Sequence, residues 1–238
     1  MVHYMGGKAQ LAKQIVTAIR DDLGTYPGVN TWVEPFVGGG SVAATAADML
    51  GYNLVLNDSN PLAAVLWMQD EYEPTLTNLT KNEYTAVRAV GGVDKFTALV
   101  AFGASFGGKM WGGFASNARG YDYFGAACRS WRKKYDKIHS VPVTVVTCGD
   151  YSEVNVPADA VVYCDPPYRD TTGYTTGDFD TAAFVLWCEA QTVPVYVSEF
   201  SAPSYWVPIW SKNRRMELQP AADDCKLVTD KVFRVRTR

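Results

Sequence analysis

The residues best suited to chemistry stand together as Asp165, Pro166, Pro167 and Tyr168. The short apolar segment 161–164 precedes them and predicts a buried strand. Each proline lacks a backbone N–H and fixes φ, so the strand is expected to end at Asp165. A carboxylate, two prolines and an aromatic ring then stand at the carboxyl end of a strand, where open α/β sheets bind ligands. The same four residues are also compatible with an ordinary turn, because Asp and Pro are common in turns.

A glycine-rich loop lies between a predicted strand and a predicted helix near the start of the chain. The strand is expected over 31–36 and the helix over 42–50, with Gly38 and Gly40 between them. Glycine lets the backbone pass close to a ligand, and this context is typical of nucleotide binding. The loop lacks the Lys-Ser/Thr pair of a P-loop. It also departs from the dinucleotide pattern, in which Ala43 would be the third small residue.

Asp58 ends the next predicted strand, 20 residues after Gly38. At that separation an acid can hydrogen-bond the hydroxyls of a ribose. The segment from Asp58 to Pro61 would also start a helix well, here predicted over 61–70, so Asp58 could instead be a helix cap, and the two roles are compatible.

Gly7 and Lys8 stand at the start of a helix predicted from about residue 8 to residue 24. Backbone N–H groups at a glycine pair can approach an anion, and a lysine adds positive charge. A flexible start capped by glycine is the alternative interpretation.

The segment 71–137 interrupts the alternation of strands and helices. Helices are predicted over 81–90 and 95–105, and a glycine- and aromatic-rich stretch, 103–120, precedes a basic helix. Basic groups bind phosphates, and Asn or Arg side chains can read base edges. The alternative is a surface loop beside a solvated helix face. The candidate nucleic-acid contacts are Lys109, Asn117, Arg119, Arg129, Arg132 and Lys133, and the same helix carries Lys134 and Lys137.

The α/β pattern resumes after residue 137. Strands are predicted over 141–148, 160–164 and 193–197, a helix over 181–191, and an antiparallel hairpin over 215–219 and 231–235 that closes the sheet edge. Asp150 is a further acid just after a strand. This order of elements is typical of an α/β fold with a largely parallel sheet.

Composition excludes several classes of protein. Of the 238 residues 47% are hydrophobic and 20% charged, which favours a packed core over disorder. The five cysteines form no C-x-x-C pair and only two histidines occur, so neither a zinc site nor a disulfide framework is expected. We see no signal peptide and no apolar run of 18 residues, and a cytoplasmic location is expected. The net charge of −3 gives no support to nucleic-acid binding, which would need a local basic patch.

Taken together, the motifs resemble those of the Dam-like DNA adenine methyltransferases. The matching segments are residues 4–8, 34–41, 57–58, 104–106 with 117–120, and 163–168. They occur in the order of that family, with the cofactor motifs first, the recognition region next and the catalytic motif last. The resemblance implies S-adenosylmethionine as methyl donor, double-stranded DNA as partner, no metal and no obligatory protein partner. A solitary enzyme of a bacterial cell, possibly of phage origin, is expected, and its recognition sequence stays open.

The resemblance also implies roles for individual residues. Asp165, Pro166, Pro167 and Tyr168 would hold the target adenine, and Asp58 would bind the ribose hydroxyls of the donor. Asn117 and Arg119 would contact bases. The donor-binding residues would be Tyr4, Gly7, Lys8, Glu34, Pro35, Phe36, Gly38, Gly40, Ser41, Asp58, Asp150, Cys164 and Asp165.

These groups suit methyl transfer to an exocyclic amino group. The target base must be flipped out of the duplex, and stacking on Tyr168 would offset about 1–3 kcal/mol of that cost. Asp165 and the Pro166 carbonyl could accept the two amino hydrogens, which turns the nitrogen lone pair toward the sulfonium methyl group. Positioning and fixed dipoles would then lower the barrier to direct transfer.

We therefore expect an α/β, Rossmann-like methyltransferase sheet built from residues 1–70 and 138–238, with a mostly helical DNA-recognition region inserted over 71–137. One alternative keeps this fold but acts on a cytosine amino group, an RNA or a protein amide, although RNA and protein enzymes typically carry Asn in place of Asp165. Another alternative is a non-catalytic DNA-binding relative. A nicotinamide dehydrogenase would use the glycine loop but leaves residues 165–168 unexplained.

Overall fold

The computed structural model describes residues 7–24, 26, 28–74, 78–167, 179–199, 202–217 and 225–236. The helices are α1 (Ala12–Leu23), α2 (Ser41–Leu50), α3 (Pro61–Val65), α4 (Lys81–Val90), α5 (Lys95–Gly103), α6 (Tyr123–Ile138) and α7 (Thr181–Glu189), with short 3-10 turns at Phe106–Gly108 and Tyr151–Glu153. The strands are β1 (Thr31–Glu34), β2 (Asn53–Asn57), β3 (Thr144–Thr147), β4 (Ala160–Cys164), β5 (Val195–Glu199), β6 (Val207–Glu217) and β7 (Cys225–Arg234). Among the described helices, none is long and apolar enough to cross a membrane.

The seven strands form one sheet in the order β3-β2-β1-β4-β5-β7-β6. The first five strands of that order run parallel, and β7 and β6 are antiparallel to their neighbours. This is the Rossmann-like α/β sheet expected from the sequence, with the predicted hairpin at its edge. The strand order reverses at β1 and β4, so a crevice is expected beyond their carboxyl ends.

The apolar segments of β1 and β4 form strands because helices cover both faces of the sheet. Every residue of these two strands is buried, which explains their unbroken apolar runs. One face packs against α1, α2, α5 and α6 through residues such as Ile15, Leu54 and Trp131. The other face packs against α7 through Phe184 and Cys188.

The predicted recognition region shares the core of the sheet. Leu99 and Phe102 of α5, and Trp131 and Ile138 of α6, belong to the same buried cluster as Ile15 of α1. Helix α6 also lies directly against α2. The region 71–137 thus contributes to the main core, and its role as an inserted recognition unit stays a prediction.

Helix α3 ends at Val65, five residues earlier than predicted, because side chains from other elements take its following carbonyl groups. Trp131 Nε1 donates to the Leu66 carbonyl at 2.9 Å and Lys95 Nζ donates to that of Met68. His139 Nε2 lies 2.9 Å from the Trp67 carbonyl. Carbonyls satisfied in this way no longer need helical partners.

Several strands differ in length or position from the prediction. Strand β1 ends at Glu34, two residues early, and β7 begins at Cys225, six residues early. Strand β3 covers only Thr144–Thr147, and β5 begins and ends two residues later than expected. Strand β6 begins at Val207, eight residues early, and runs through Pro208. The pairing register shifts between Pro208 and Trp210, and an edge strand tolerates proline at such a bulge.

Candidate active site

The carboxyl ends of β1, β2 and β3 are held together by one buried amide. Asn57 Nδ2 donates to the carbonyls of Pro35 at 3.1 Å and Gly149 at 3.0 Å. Its Oδ1 accepts from Thr147 Oγ1 at 2.8 Å. The loops that follow these strands, including those carrying Phe36 and Asp150, are therefore fixed relative to one another.

The glycine loop after β1 forms a tight, hydrogen-bonded turn. Val37 N–H donates to the Asn57 carbonyl and Gly40 N–H donates to the Val37 carbonyl, each at 2.8 Å. Gly40 has φ of +62°, and a Cβ there would lie 2.4 Å from the Trp67 ring. Gly38, with φ of +43°, also occupies the left-handed region. Backbone conformation and the close approach of Trp67 thus both require glycine at position 40.

Asp58 anchors this loop from the end of β2. Its Oδ2 accepts from Gly38 N–H at 2.8 Å and its Oδ1 from Asn60 N–H at 2.9 Å. Burial is the main cause that raises the pKa of Asp58 to about 6. The cap of α3 is Asn60, whose Oδ1 accepts from Leu62 N–H at 3.0 Å, so the alternative of Asp58 as helix cap is wrong.

Glu34 places a second buried carboxyl beside the loop. Its Oε2 accepts from Trp32 Nε1 at 3.2 Å, and burial raises its pKa well above the usual range, with Asp165 and Asp58 adding to the shift. The Trp32 ring stacks on Tyr163 at 5.7 Å. Burial thus favours the neutral form of Glu34, and a ligand that carries positive charge nearby would favour its ionised form.

Asp165 meets Lys8 at the end of β4. Lys8 Nζ donates to Asp165 Oδ1 at 2.8 Å, across 157 residues of sequence. The Lys8 side chain is 4% exposed and that of Asp165 is 19% exposed. The Lys8 carbonyl also accepts from Ala12 N–H at 2.7 Å, which ties the lysine to the start of α1. The structure thus brings the amino-terminal motif and the Asp-Pro-Pro motif together.

An aromatic wall flanks the glycine loop on the side of α7. The half-buried Phe36 ring lies 5.4 Å from Tyr151, 5.7 Å from Phe184 and 6.0 Å from Phe179. Asp150 is exposed just before Tyr151, and its Oδ1 accepts from the backbone N–H of Ser152. Flat faces beside an exposed carboxylate are suited to a purine base.

Several predicted site residues have other surroundings. Cys164 is fully buried, with burial and the neighbouring Cys188 raising the pKa of its thiol, so its side chain packs in the core. Gly7 is exposed, and Ser41 starts α2 with its carbonyl bonded to Thr45 Oγ1. Tyr4 and Tyr168 lie outside the described residues.

A hairpin formed by residues 104–115, here called the 104–115 hairpin, reaches the same edge of the sheet. Phe106 N–H donates to the Gly113 carbonyl at 2.8 Å, and Ser105 Oγ bonds the buried Tyr84 hydroxyl at 2.9 Å. Asn60 Nδ2 contacts Met110 Sδ at 3.4 Å, beside the end of β2. The hairpin presents Phe106 with 75% of its surface exposed. An exposed ring at this edge is suited to stacking on a base.

The predicted nucleic-acid residues divide into exposed and paired groups. Lys109, Arg119 and Lys133 are exposed. Arg132 is paired with Glu73 and with Asp136. Arg129 lies 4.0 Å from Asp122, and Asn117 Oδ1 accepts from the N–H groups of Arg119 and Tyr121, which stabilises the loop.

Sequence reasoning missed Trp67 and misjudged Lys134. Trp67 Nε1 donates to the Gly38 carbonyl at 2.9 Å, and Lys134 Nζ donates to the Gly39 carbonyl. Lys134 was grouped with the basic face, yet it follows the buried Trp131 by three residues and precedes the buried Ile138 by four. That helical spacing could have placed it beside the core.

The residues at this edge fit S-adenosylmethionine, which combines a sulfonium, an ammonium, a ribose and an adenine. Buried Asp58 supplies acceptors for hydroxyl groups and buried Glu34 supplies a second carboxyl group, while Phe36 and Tyr151 supply a wall for a base. At Gly38 and Gly40 the loop has positive φ and presents bare backbone, without side chains. Among the described residues, no group of three or more His, Cys, Asp or Glu side chains could hold a metal ion.

Comparisons with known proteins show which family part of the chain resembles. Residues 4–85, less than half of the chain, match the family model of the D12 class N6 adenine-specific DNA methyltransferases. No curated protein matches the chain. Among solved structures, PH1948 from Pyrococcus horikoshii has 12% identity and a TM-score of 0.45, and covers 95% of this chain and 84% of its own. HI0767 from Haemophilus influenzae has 11% identity and a TM-score of 0.41, over 93% and 88%.

Neither structural likeness reaches a TM-score of 0.5, so the fold assignment rests on the strand order given above. The family match covers the amino-terminal motif, the glycine loop and Asp58. The chain is thus a Rossmann-like methyltransferase whose residues 4–85 match the D12 class N6 adenine-specific DNA methyltransferases, consistent with its resemblance to the Dam-like enzymes.

Proposed function

We propose that this methyltransferase transfers a methyl group from S-adenosylmethionine to the exocyclic amino group of an adenine flipped out of duplex DNA. The observation that carries the proposal is the contact between Lys8 and Asp165 at the carboxyl edge of the sheet. It joins the first and last motifs of the chain beside the glycine loop, where a donor and a target base would have to meet.

In this proposal Asp165 accepts a hydrogen bond from the target amino group. Lys8 positions the carboxylate, because its ammonium holds one oxygen at 2.8 Å. The Pro166 carbonyl is the second acceptor, and the prolines keep the backbone rigid at this point. When bound, S-adenosylmethionine supplies an electrophilic methyl group. Asp165 then stabilises the positive charge that grows on the amino nitrogen.

The donor would occupy the glycine loop. Asp58 would accept its ribose hydroxyls, with Gly38 and Asn60 N–H groups already fixing the carboxylate. Glu34 would face its positive charge, and Phe36 and Tyr151 would border its adenine. Pro35, Gly40, Ser41 and Asp150 complete this proposed site.

DNA would bind along the 104–115 hairpin and along α6. Lys109, Lys133 and Arg129 are proposed phosphate contacts, whereas Asn117 and Arg119 are proposed base contacts. Arg132 would have to exchange Glu73 or Asp136 for a phosphate. Exposed Phe106 is a further stacking candidate, and residues 71–137 would serve as the recognition region.

The test of the proposal is to measure which polymer accepts the methyl group. Purified protein is incubated with donor labelled in the methyl group and, in separate reactions, with duplex DNA, single-stranded DNA or RNA of matched sequence. We expect label in duplex DNA, with little in RNA. Preferential labelling of RNA would contradict the choice of substrate, whereas labelling of none, with donor bound, would contradict catalysis.

A further inference from the structure

Two consecutive carbonyl groups of the glycine loop are held by side chains from outside every motif. The Gly38 carbonyl accepts from Trp67 Nε1 at 2.9 Å, in a buried bond. The Gly39 carbonyl accepts from Lys134 Nζ, which comes from α6, 95 residues further along the chain.

The two side chains and the loop form one contiguous unit. Trp67 is 1% exposed and its ring approaches Gly40 so closely that no Cβ would fit. Lys134 Nζ lies 5.4 Å from the centre of the Trp67 ring, a distance at which a cation and an aromatic face attract. His139, the residue that follows α6, contacts the Trp67 carbonyl through Nε2.

This arrangement determines which way the loop peptides face. A peptide unit is planar and trans, so its carbonyl and N–H point in opposite directions. Holding the Gly38 carbonyl on Trp67 therefore directs the Gly39 N–H away from Trp67. Glycine has no side chain to restrain these peptide planes, so the restraint must come from elsewhere.

If Lys134 only packed α6 against the sheet, the desolvation of its ammonium group would be an uncompensated energetic cost. Burial lowers the pKa of its ammonium group to about 8. An apolar residue would avoid this desolvation, and replacing a buried charge by an apolar residue is often neutral or stabilising. An apolar residue could not make its hydrogen bond to the Gly39 carbonyl.

We propose that Lys134, together with Trp67, is a positioning residue that sets the peptide planes of the glycine loop for binding of the methyl donor. The role deepens the proposed function and rests on it for the identity of the donor. It also places a donor-site determinant on α6, the helix that carries Arg129 and Lys133.

The test compares Lys134→Met with Lys137→Met by calorimetric titration of S-adenosylmethionine and of its demethylated product. Lys137 is a matched control because it is a lysine of the same helix whose bond goes to Asp48 of α2, at 2.7 Å, and not to the glycine loop. We expect about tenfold weaker donor binding in Lys134→Met, since a charge-assisted hydrogen bond is lost. Lys137→Met should stay within about twofold of the wild type, and Lys134→Arg should recover part of the loss.

Steady-state kinetics separates positioning from general damage. In Lys134→Met the KM for the donor should rise about tenfold, while kcat at saturating donor and the KM for DNA stay close to wild type. Unfolding temperatures of both variants show whether they fold. If Lys134→Met does not fold, Lys134→Gln, which keeps a donor but no charge, takes its place with a smaller expected loss.

Equal donor affinity in the wild type and in the folded Lys134 variant would overturn the inference and leave the proposed function intact. Equal losses in the Lys134 and Lys137 variants would also overturn it, because they would show a structural role of α6. Absence of donor binding by the wild type would overturn the inference together with the proposed function.

Discussion

At the scale of single residues, the pair of Lys8 and Asp165 has a clear energetic consequence. Both groups are largely removed from water, and such a pair contributes little net stability while the loss of one partner is costly. Asp165→Asn should therefore lower the free energy of unfolding by about 3 kcal/mol. Adding Lys8→Met should restore most of it. Urea unfolding of the three proteins measures this, and equal stability of the single and double variants would contradict the pairing.

Asp58 predicts the pH dependence of donor binding. Its pKa of about 6 means that it is ionised at neutral pH and takes up a proton as the pH falls below 6. The proton occupies one oxygen, so an acceptor is lost. We expect donor affinity to be constant above pH 7 and to fall about tenfold per pH unit well below 6. Calorimetric titration from pH 7.5 to pH 5 measures it, and a constant affinity would exclude this role.

The raised pKa of Asp58 makes folding stability depend on pH in the opposite direction to donor binding. Because the folded-state pKa of Asp58 lies above its ordinary value of 3.8, the native protein binds this proton more tightly than the unfolded chain. The stabilising contribution is complete below about pH 4 and is lost as the pH rises to about 6. Donor affinity and the Asp58 contribution to stability should therefore change in opposite directions over this interval.

Residue types and spacing were sufficient to identify Asp58 and Asp165 as acids at strand ends. They were not sufficient for the partners of these acids. Lys8 is separated from Asp165 by 157 residues, and only the tertiary fold brings them together. The contacts of Trp67 and Lys134 with the loop depend in the same way on packing between distant helices.

At the scale of elements, α2 is flanked at both ends by a glycine with positive φ. Only the glycine at its amino-terminal end lies against another side chain. A Cβ at Gly40 would meet the Trp67 ring at 2.4 Å, whereas a Cβ at Gly51 would meet nothing within 4 Å. Gly51→Ala should cost about 1 kcal/mol from backbone strain. Gly40→Ala should cost at least about 2 kcal/mol, because overpacking is added, and should weaken donor binding.

Thermal unfolding and donor titration of the two glycine variants check this difference. Gly51→Ala is the control, since it carries similar backbone strain at the far end of the same helix. Equal loss of stability in both variants, with unchanged donor affinity in Gly40→Ala, would show that the contact with Trp67 does not shape the loop.

Local signals predicted some elements well and others poorly. Strand β4 and helices α2 and α4 came out close to their true bounds, because apolar runs, helical spacing and a capping box at Thr80 and Glu83 are local features. Helix α3 was predicted too long because the carbonyls of Leu66 and Met68, which follow it, accept hydrogen bonds from side chains of α5 and α6. The early part of β6 was missed because Pro208 opposes strand formation everywhere except at an edge.

At the scale of the whole molecule, the helices of residues 71–137 share one core with the sheet and its other helices. Trp131 and Phe102 pack in the cluster that contains Ile15 and Leu54. We therefore expect a single cooperative unfolding transition, with equal calorimetric and van't Hoff enthalpies. Two separate transitions would show that residues 71–137 fold independently of the sheet.

The direct measurement of the central claim is the modified nucleoside that the protein forms. Duplex DNA is methylated under single-turnover conditions with saturating donor, digested to nucleosides and analysed by mass spectrometry, for the wild type and for Lys8→Met/Asp165→Asn. We predict N6-methyladenine from the wild type, and a rate at least about 100-fold lower in the double variant, with donor still bound. N4-methylcytosine as the product, or a double variant as fast as the wild type, would contradict the account.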